Sequence, residues 1–333
     1  MLDSPLPAMA RSAEDRLEPH RRRLTGYCYR MLGSPFEAED AVQETMIRAW
    51  RGIDRFEGRA ELSSWLLRIA TNVCLDMLSG RQRRALPVDL GPASAPDPAN
   101  LNALPEASWI MPLPGPLTDD ADDPVEILVE RETLRLAFVA ALQHLPPRQR
   151  AALILCEVLR WKATEVAELL NTSVASVNSA LQRARGTLDA AGLSTADPAP
   201  RLDTPDQELL DRYVEAFERY DMDLLTALIR EDAVQSMPPY DMWLQGRENI
   251  FAWWYGPGIA CQGSRVIPAG TANGTAAFGQ YKISESGSGY DPWALQVIDF
   301  TPSGIGELTF FLDTAALFPL FDLPPRLSAD TGT

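Results

Sequence analysis

Between residues 35 and 53 the apolar residues Ala38, Val42, Met46, Ala49 and Ile53 recur at steps of three and four. That period puts them on one face of a helix. Ser34 and Pro35 stand where a helix start favours a capping hydroxyl and a first-turn proline. After a break at "DRFEGRAE", the stripe Leu62, Leu66, Ile69, Val73 and Met77 predicts a second helix. Trp65, Arg68, Asn72 and Asp76 share its neighbouring face, and the basic run "SGRQRR" follows with Arg81, Arg83 and Arg84. Residues 86–124 hold nine prolines and little periodicity, the composition of a linker. Helical periodicity resumes near Val125.

In this second helical block a helix from Thr164 to Leu170 runs into "NTS". Asn171 can adopt the left-handed backbone of a tight turn, and Ser173 can cap the helix that follows. Val174, Val177, Leu181, Ala184 and Leu188 are its expected buried face. Ala167, Asn171 and Val177 have the small–turn–branched spacing of two helices that cross closely, a helix-turn-helix. Its outward face carries Ala175, Ser176, Ser179, Gln182 and Arg183, with Asn178 and Arg185 on the flanks. From about residue 205 the pattern changes again. "PDQELLDRYVEAFERYDMDLLTALIREDAV" reads as two or three helices. The short runs "SRVIPAG", "TAAFGQYKIS", "PWALQVIDF" and "GIGELTFFLD" read as strands. The fold class is therefore multidomain: two all-α modules and a C-terminal α+β domain. The boundaries are 10–88, a Pro-rich acidic linker at 89–124, 125–192, a second linker at 193–204, 205–320, and a tail at 321–333.

Charge divides the chain in the same places. The net charge of −16 over 333 residues argues against nucleic acid when taken whole. By segment, residues 1–85 carry 14 basic and 12 acidic side chains, and 131–192 carry 8 and 5. Residues 86–130 carry none and 9, and 193–333 carry 8 and 20. Two mildly basic blocks are thus followed, and separated, by acidic ones. Four cysteines without metal-ligand spacing and two histidines predict reduced core thiols, no zinc and no cofactor. With neither an export signal nor an apolar run long enough for a membrane, a cytoplasmic protein is expected.

Three faces carry candidate chemistry. Short polar side chains and arginines on a capped helix suit the major groove, and no acid lies between Asn171 and Thr187. An ordinary hairpin with a solvated face is the other reading. Trp65, Arg68 and Asn72 suit stacking on unpaired bases, or Trp65 is simply buried between helices. Asp40, Gln43 and Glu44 form either a partner face or a solvated one. In the C-terminal domain Met237, Tyr240, Trp243, Phe251, Trp254 and Trp293 are candidate pocket-lining residues for a small ligand, or they close an ordinary core. Asp241 and Asp291 are its candidate carboxylate bases. In the linker stretch "ASWIMPLPGP", the residues Trp109, Ile110, Met111 and Leu113 are too apolar for water. We expect them to dock on the C-terminal domain; the other reading is that Trp109 packs locally on one of the two helical blocks.

"EAEDAVQETMIRAWR", "WLLRIATNVCLDML" and the arginine tail resemble region 2 of extracytoplasmic-function sigma factors of the sigma-70 family. "LQHLPPRQRAALILCEV" and "WKATEVAELLNTSVASVNSALQRAR" resemble region 4 of the same family. The resemblance implies that Asp40, Gln43 and Glu44 bind the β′ subunit of core RNA polymerase, with β as a further partner. It implies −10 promoter recognition by Trp65, Arg68, Asn72, Arg81, Arg83 and Arg84. It also implies −35 recognition by Ser173, Ser176, Asn178, Ser179, Gln182, Arg183 and Arg185. "YVEAFERYDMDLLTALIREDAVQSMPPYDMWLQGRENI" resembles the SnoaL-like (NTF2-like) α+β cone, which implies a conical pocket and has isomerases and cyclases with a carboxylate base among its relatives; the resemblance to sigma factors that carry such a domain implies a regulatory role and no enzyme. The alternatives are an isomerase-like activity in that domain, or a regulator that binds duplex DNA without polymerase.

Overall fold

The computed structural model describes residues 8–58, 61–115, 133–190 and 207–329. They fall into two compact units. Residues up to Arg84, the short stretch Ile110–Leu113 and residues 133–190 make a helical unit. Residues Ala85–Trp109, 114–115 and 207–329 make an α+β unit.

In the helical unit, α1 (Ala8–Leu17), α2 (Arg21–Leu32), α3 (Pro35–Gly52) and α4 (Leu62–Met77) come first. Gly33, at φ 74°, ends α2 with its N–H on Tyr29 O, and Ser34 Oγ then accepts the Glu37 N–H to start α3. A left-handed residue followed at once by an N-cap turns the chain sharply between two helices. Tyr27, Cys28 and Met31 of α2 pack with Ala38, Ala41 and Val42 of α3 and Leu66, Leu67, Ala70 and Cys74 of α4. The α4 stripe is rotated from the expected one. Leu62, Ile69 and Met77 are only half-buried, as is Met46 of α3. Small residues take the centre instead, and Thr71 bonds Tyr27 Oη at 2.7 Å.

The unit continues with α5 (Leu136–Gln143), α6 (Pro147–Leu153), a π-helical turn at Ile154–Val158, α7 (Ala163–Leu169) and α8 (Val174–Ala190). The helix start expected near Val125 lies outside the described residues. Asn171 has φ 48°, as the turn requires. The Thr172 N–H closes α7 on Ala167 O at 2.9 Å, and Ser173 Oγ accepts the Ser176 N–H at 3.1 Å. Val177, Leu181, Ala184 and Leu188 are buried. Val174, the first residue of α8, is 39% exposed, and Ala180 takes the place expected for it.

The α+β unit runs α9 (Gln207–Arg219), α10 (Met222–Leu228), β1 (Ile229–Ser236), β2 (Trp243–Gln245), α11 (Arg247–Tyr255), β3 (Arg265–Ala272), β4 (Thr275–Ile283), β5 (Tyr290–Thr301), β6 (Gly304–Phe311) and α12 (Thr314–Leu320). The sheet order is β2-β1-β6-β5-β4-β3. β1 and β6 are parallel and the other pairs antiparallel. Residues 229–233, expected to be helical, are the start of β1. The strand they open pairs with β6 from Ile229 and with β2 from Val234, and this outweighs their local preference. Tyr213 and Phe217 of α9 and Trp253 and Trp254 of α11 close the core over the sheet.

Two segments expected to lie outside this domain are built into it. In the assigned tail, Phe321, Leu323 and Leu327 are buried, and Leu327 exchanges two backbone bonds with Tyr290. Gly279 makes room for Leu323, whose Cδ1 would lie 2.8 Å from a Cβ there. The linker is the second. Trp243 Nε1 donates to Gly91 O at 2.9 Å, and the Ser94 N–H donates to Trp243 O at 2.8 Å. The Leu104 N–H bonds Pro239 O, the Asp241 N–H bonds Asn102 O, and the Gly115 N–H bonds Thr271 O. Leu101 packs on the domain core. Prolines remove many donors from this segment, so an irregular strap satisfies the rest against the domain's loops.

Candidate functional site

On α3, Asp40 and Gln43 are exposed, and Glu44 accepts from Arg48 Nε at 2.7 Å. Sequence reasoning missed their apolar companions. Phe36, Ile47 and Trp50 are 38%, 44% and 53% exposed. They stand four, three or four residues from Asp40, from Gln43 and from each other, on the same face. Their phase, opposite to the buried stripe, was the available signal.

The face of α4 is occupied. Trp65 is half-buried, its ring 5.1 Å from that of Phe56. The Arg68 guanidinium lies 6.0 Å from the Trp161 ring centre and 3.6 Å from a Glu168 oxygen. Arg81 and Arg84 both pair with Glu37, at 2.5 and 3.0 Å, and Arg83 Nη1 lies 2.6 Å from His144 Nδ1. Asn72 is exposed. The expected basic patch is thus divided among three acceptor sets.

Behind this face runs a buried polar seam. Arg30 donates to Thr133 Oγ1, and Gln143 Nε2 donates to Arg30 O. Arg150, 3% exposed, donates to Met31 O, to Gln143 Oε1 and to the carbonyls of Gln143 and Leu145. These carbonyls lie at or just beyond the ends of α2 and α5, where helix dipoles favour a cation. Among the described residues Arg150 Nε has no hydrogen-bond partner, and burial pushes the guanidinium down to about 10.

The face of α8 is open. Ser173, Ser176, Asn178, Ser179, Gln182, Arg183 and Arg185 are all exposed. Arg185 pairs with Glu157, whose hydrogen bond holds the guanidinium above its ordinary range. Arg183 makes no ion pair among the described residues.

The linker stretch expected to dock on the C-terminal domain is divided between the two units. Trp109 belongs to the α+β unit, is 3% exposed, and donates from Nε1 to Leu104 O at 3.3 Å. Ile110, Met111 and Leu113 are buried in the helical unit instead. There the Met111 N–H bonds Gly33 O at 3.0 Å, and Tyr29 Oη donates to Met111 O at 2.8 Å. Gly33 O is free for this because it lies past the end of α2.

Of the six pocket candidates, Met237, Trp254 and Trp293 line a cavity in the α+β unit. Phe251 packs behind Trp254, ring centres 5.8 Å apart. Tyr240 and Trp243 hold the strap, through Ala103 and Gly91. Sequence reasoning missed Phe217, Gln235, Cys261, Gln280 and Phe310, which also line the cavity. Neither Asp241 nor Asp291 does, and Asp291 pairs with Arg326 at 3.2 Å. Among the described residues no cluster of histidine, cysteine or carboxylate side chains is placed to hold a metal ion, and no helix is long and apolar enough to cross a membrane.

A helical module bearing an aromatic and arginine face, followed by a capped helix-turn-helix, defines a bipartite transcription factor of the sigma-70 type. The model of sigma-70 region 2 matches residues 17–84, and that of sigma-70 region 4 matches residues 135–188. The chain is 47% identical over 313 residues to the ECF RNA polymerase sigma factor SigG of Mycobacterium tuberculosis, spanning 93% of this chain and 83% of that one. It is 29% identical over 218 residues to SigJ of the same organism, spanning 65% and 61%. The crystal structure of SigJ superposes with a TM-score of 0.58 at 22% identity, covering 93% of this chain and 99% of that one, and so shares its fold. The chain belongs to the ECF RNA polymerase sigma factors. Membership implies RNA polymerase and promoter DNA as its partners.

Proposed function

We propose that the exposed face of α3 docks this factor on the β′ subunit of core RNA polymerase, while α8 reads the −35 element and the α4 face reads the −10 element once its internal partners are released. The row Phe36, Asp40, Gln43, Ile47 and Trp50 carries the reading. An apolar ridge flanked by acid and amide is what a partner-binding helix presents and what a solvated helix avoids. The open polar face of α8, with Arg183 in no ion pair among the described residues, supports duplex binding by region 4. The region 2 and region 4 modules then occupy 10–88 and 125–192, and the factor works in the cytoplasm, with β a second contact.

The test is reconstituted run-off transcription. Ile47→Glu with Trp50→Ala should abolish core binding and transcript while leaving the helical unit folded by circular dichroism. Wild-type-like core affinity in that variant overturns the docking assignment. A run without core polymerase addresses the rival reading, since a polymerase-independent regulator would protect promoter DNA alone.

We further propose that the α+β domain regulates the factor through its strap. The hydrogen bonds of residues 91–104 to the domain support this, because the same strand of chain continues into Ile110–Leu113. An enzymatic reading of the domain finds less support, since its candidate carboxylates stand outside the cavity.

A further inference from the structure

Two of the four cysteines meet in the core of the helical unit. Cys28 of α2 and Cys74 of α4 are both 0% exposed, and their thiols are hydrogen-bonded to each other. A second bond fixes the two helices beside them, between Tyr27 Oη and Thr71 Oγ1 at 2.7 Å. Tyr27 precedes Cys28, and Thr71 stands one turn before Cys74 on the same side of α4. Cys156 lies in the π-helical turn and Cys261 in the α+β unit, both half-buried.

Two thiols in contact need only a two-electron oxidant to become a disulfide. The bond to Cys74 and burial hold the Cys28 thiol well above its ordinary range, so the closed core reacts slowly. Oxidation waits for a local opening between α2 and α4, which admits a molecule as small as hydrogen peroxide. The Cys74 sulfur then takes one peroxide oxygen to become a sulfenic acid, and the other oxygen leaves as water. The Cys28 sulfur attacks the Cys74 sulfur next. The S–S bond forms, the S–O bond breaks, and the Cys28 proton leaves with that oxygen as a second water. The core also holds a donor for the transferred oxygen. Helix α6 packs on both α2 and α4, and its buried Arg150 interacts electrostatically with Cys74. Arg150 Nε has no hydrogen-bond partner among the described residues and can donate to the sulfenic oxygen.

Closing the bond draws the two sulfurs well inside hydrogen-bond contact. The core around them is close-packed, so α4 has to shift with its sulfur. The face that carries Trp65, Arg68 and Asn72 shifts with it. In a reducing compartment such a bond is transient, which suits a switch. We propose that Cys28 and Cys74 form a redox site, at which hydrogen peroxide closes a disulfide between α2 and α4 and turns region 2 off until a thiol reopens it. The loss of activity rests on the −10 reading of α4, and the disulfide does not.

The experiment treats the full, reduced chain with hydrogen peroxide, removes the peroxide with catalase and divides the sample. Peptide mapping after alkylation in urea should recover Cys28 and Cys74 in one cross-linked pair of peptides, which dithiothreitol separates. In Cys28→Ala the Cys74 sulfur should stop at the sulfenic acid and take up dimedone. With core polymerase, the oxidised wild type should lose most of its run-off transcript and regain it with dithiothreitol. Cys74→Ala should be indifferent to the treatment. Melting curves establish that each variant is folded, and if one is not, the wild-type map decides. The site is overturned if the map shows no link between Cys28 and Cys74. The switch is overturned, with the site standing, if the link forms and transcription is unchanged, or if Cys74→Ala loses its transcript as the wild type does.

Discussion

The two surfaces of the helical unit that suit DNA differ in one respect: α8 presents its side chains to solvent, while the α4 face presents them to the protein. Arg183 and Gln182 stand exposed, whereas Arg68 is spent on Trp161 and Glu168, and Arg81 and Arg84 on Glu37. The difference is not one of composition, since both faces are arginine-bearing. It comes from their neighbours: Glu37 of α3 takes Arg81 and Arg84, Trp161 and Glu168 take Arg68, and the Arg150 seam holds α5 and α6 against the end of α2. On the proposed reading, the side chains that meet DNA are available in one module and must be released in the other.

That contrast can be broken in order of expected size. Arg150→Ala removes a buried cation and leaves several carbonyls without their donor, and should destabilise the helical unit by about 3 kcal/mol in urea unfolding. A loss under about 1 kcal/mol would mean the seam holds nothing closed. Next, Arg183→Ala should weaken holoenzyme binding to promoter duplex by about tenfold and lower the log–log salt slope by about one. Arg185→Ala should do less, because its guanidinium must first leave Glu157. Equal effects would show that the ion pair does not restrain it.

Glu168→Ala is a smaller change. An exposed pair contributes up to about 1 kcal/mol, so freeing Arg68 should raise holoenzyme affinity for single-stranded promoter DNA by about twofold in anisotropy. The smallest effect is on Cys156, whose thiol burial pushes up to about 11, with Glu157 adding to the rise and Arg185 opposing it. It is therefore neutral near pH 7, and alkylation should accelerate only as pH rises toward 11. Removing the Arg185 charge should shift that acceleration to still higher pH, which iodoacetamide kinetics would measure.

Local chemistry made much of this legible. Ser34 and Pro35 announced α3, Asn171 announced the turn, and the four C-terminal runs announced β3 to β6, because each depends on near neighbours. What depends on distant partners was not legible. Residues 229–233 open a strand whose partners, β2 and β6, come later in the chain. Ile110 and Trp109 are adjacent and equally apolar, yet they belong to different units, and no periodicity distinguishes them. Nothing in the run "PPRQR" shows which carbonyls surround Arg150.

The strap along the α+β domain bears on how such a protein can be dissected. A chain cut near residue 200 would keep residues 85–109 while losing Pro239, Asp241 and Trp243, which hold them. Such a fragment would be no simple sigma factor relieved of an appendage. It would trail a proline-rich ribbon whose donors and apolar side chains had suddenly become homeless, and its behaviour would report that injury as much as the loss of control. Point changes at the Trp243–Gly91 bond keep the clasp and its owner in one piece, and so separate the two.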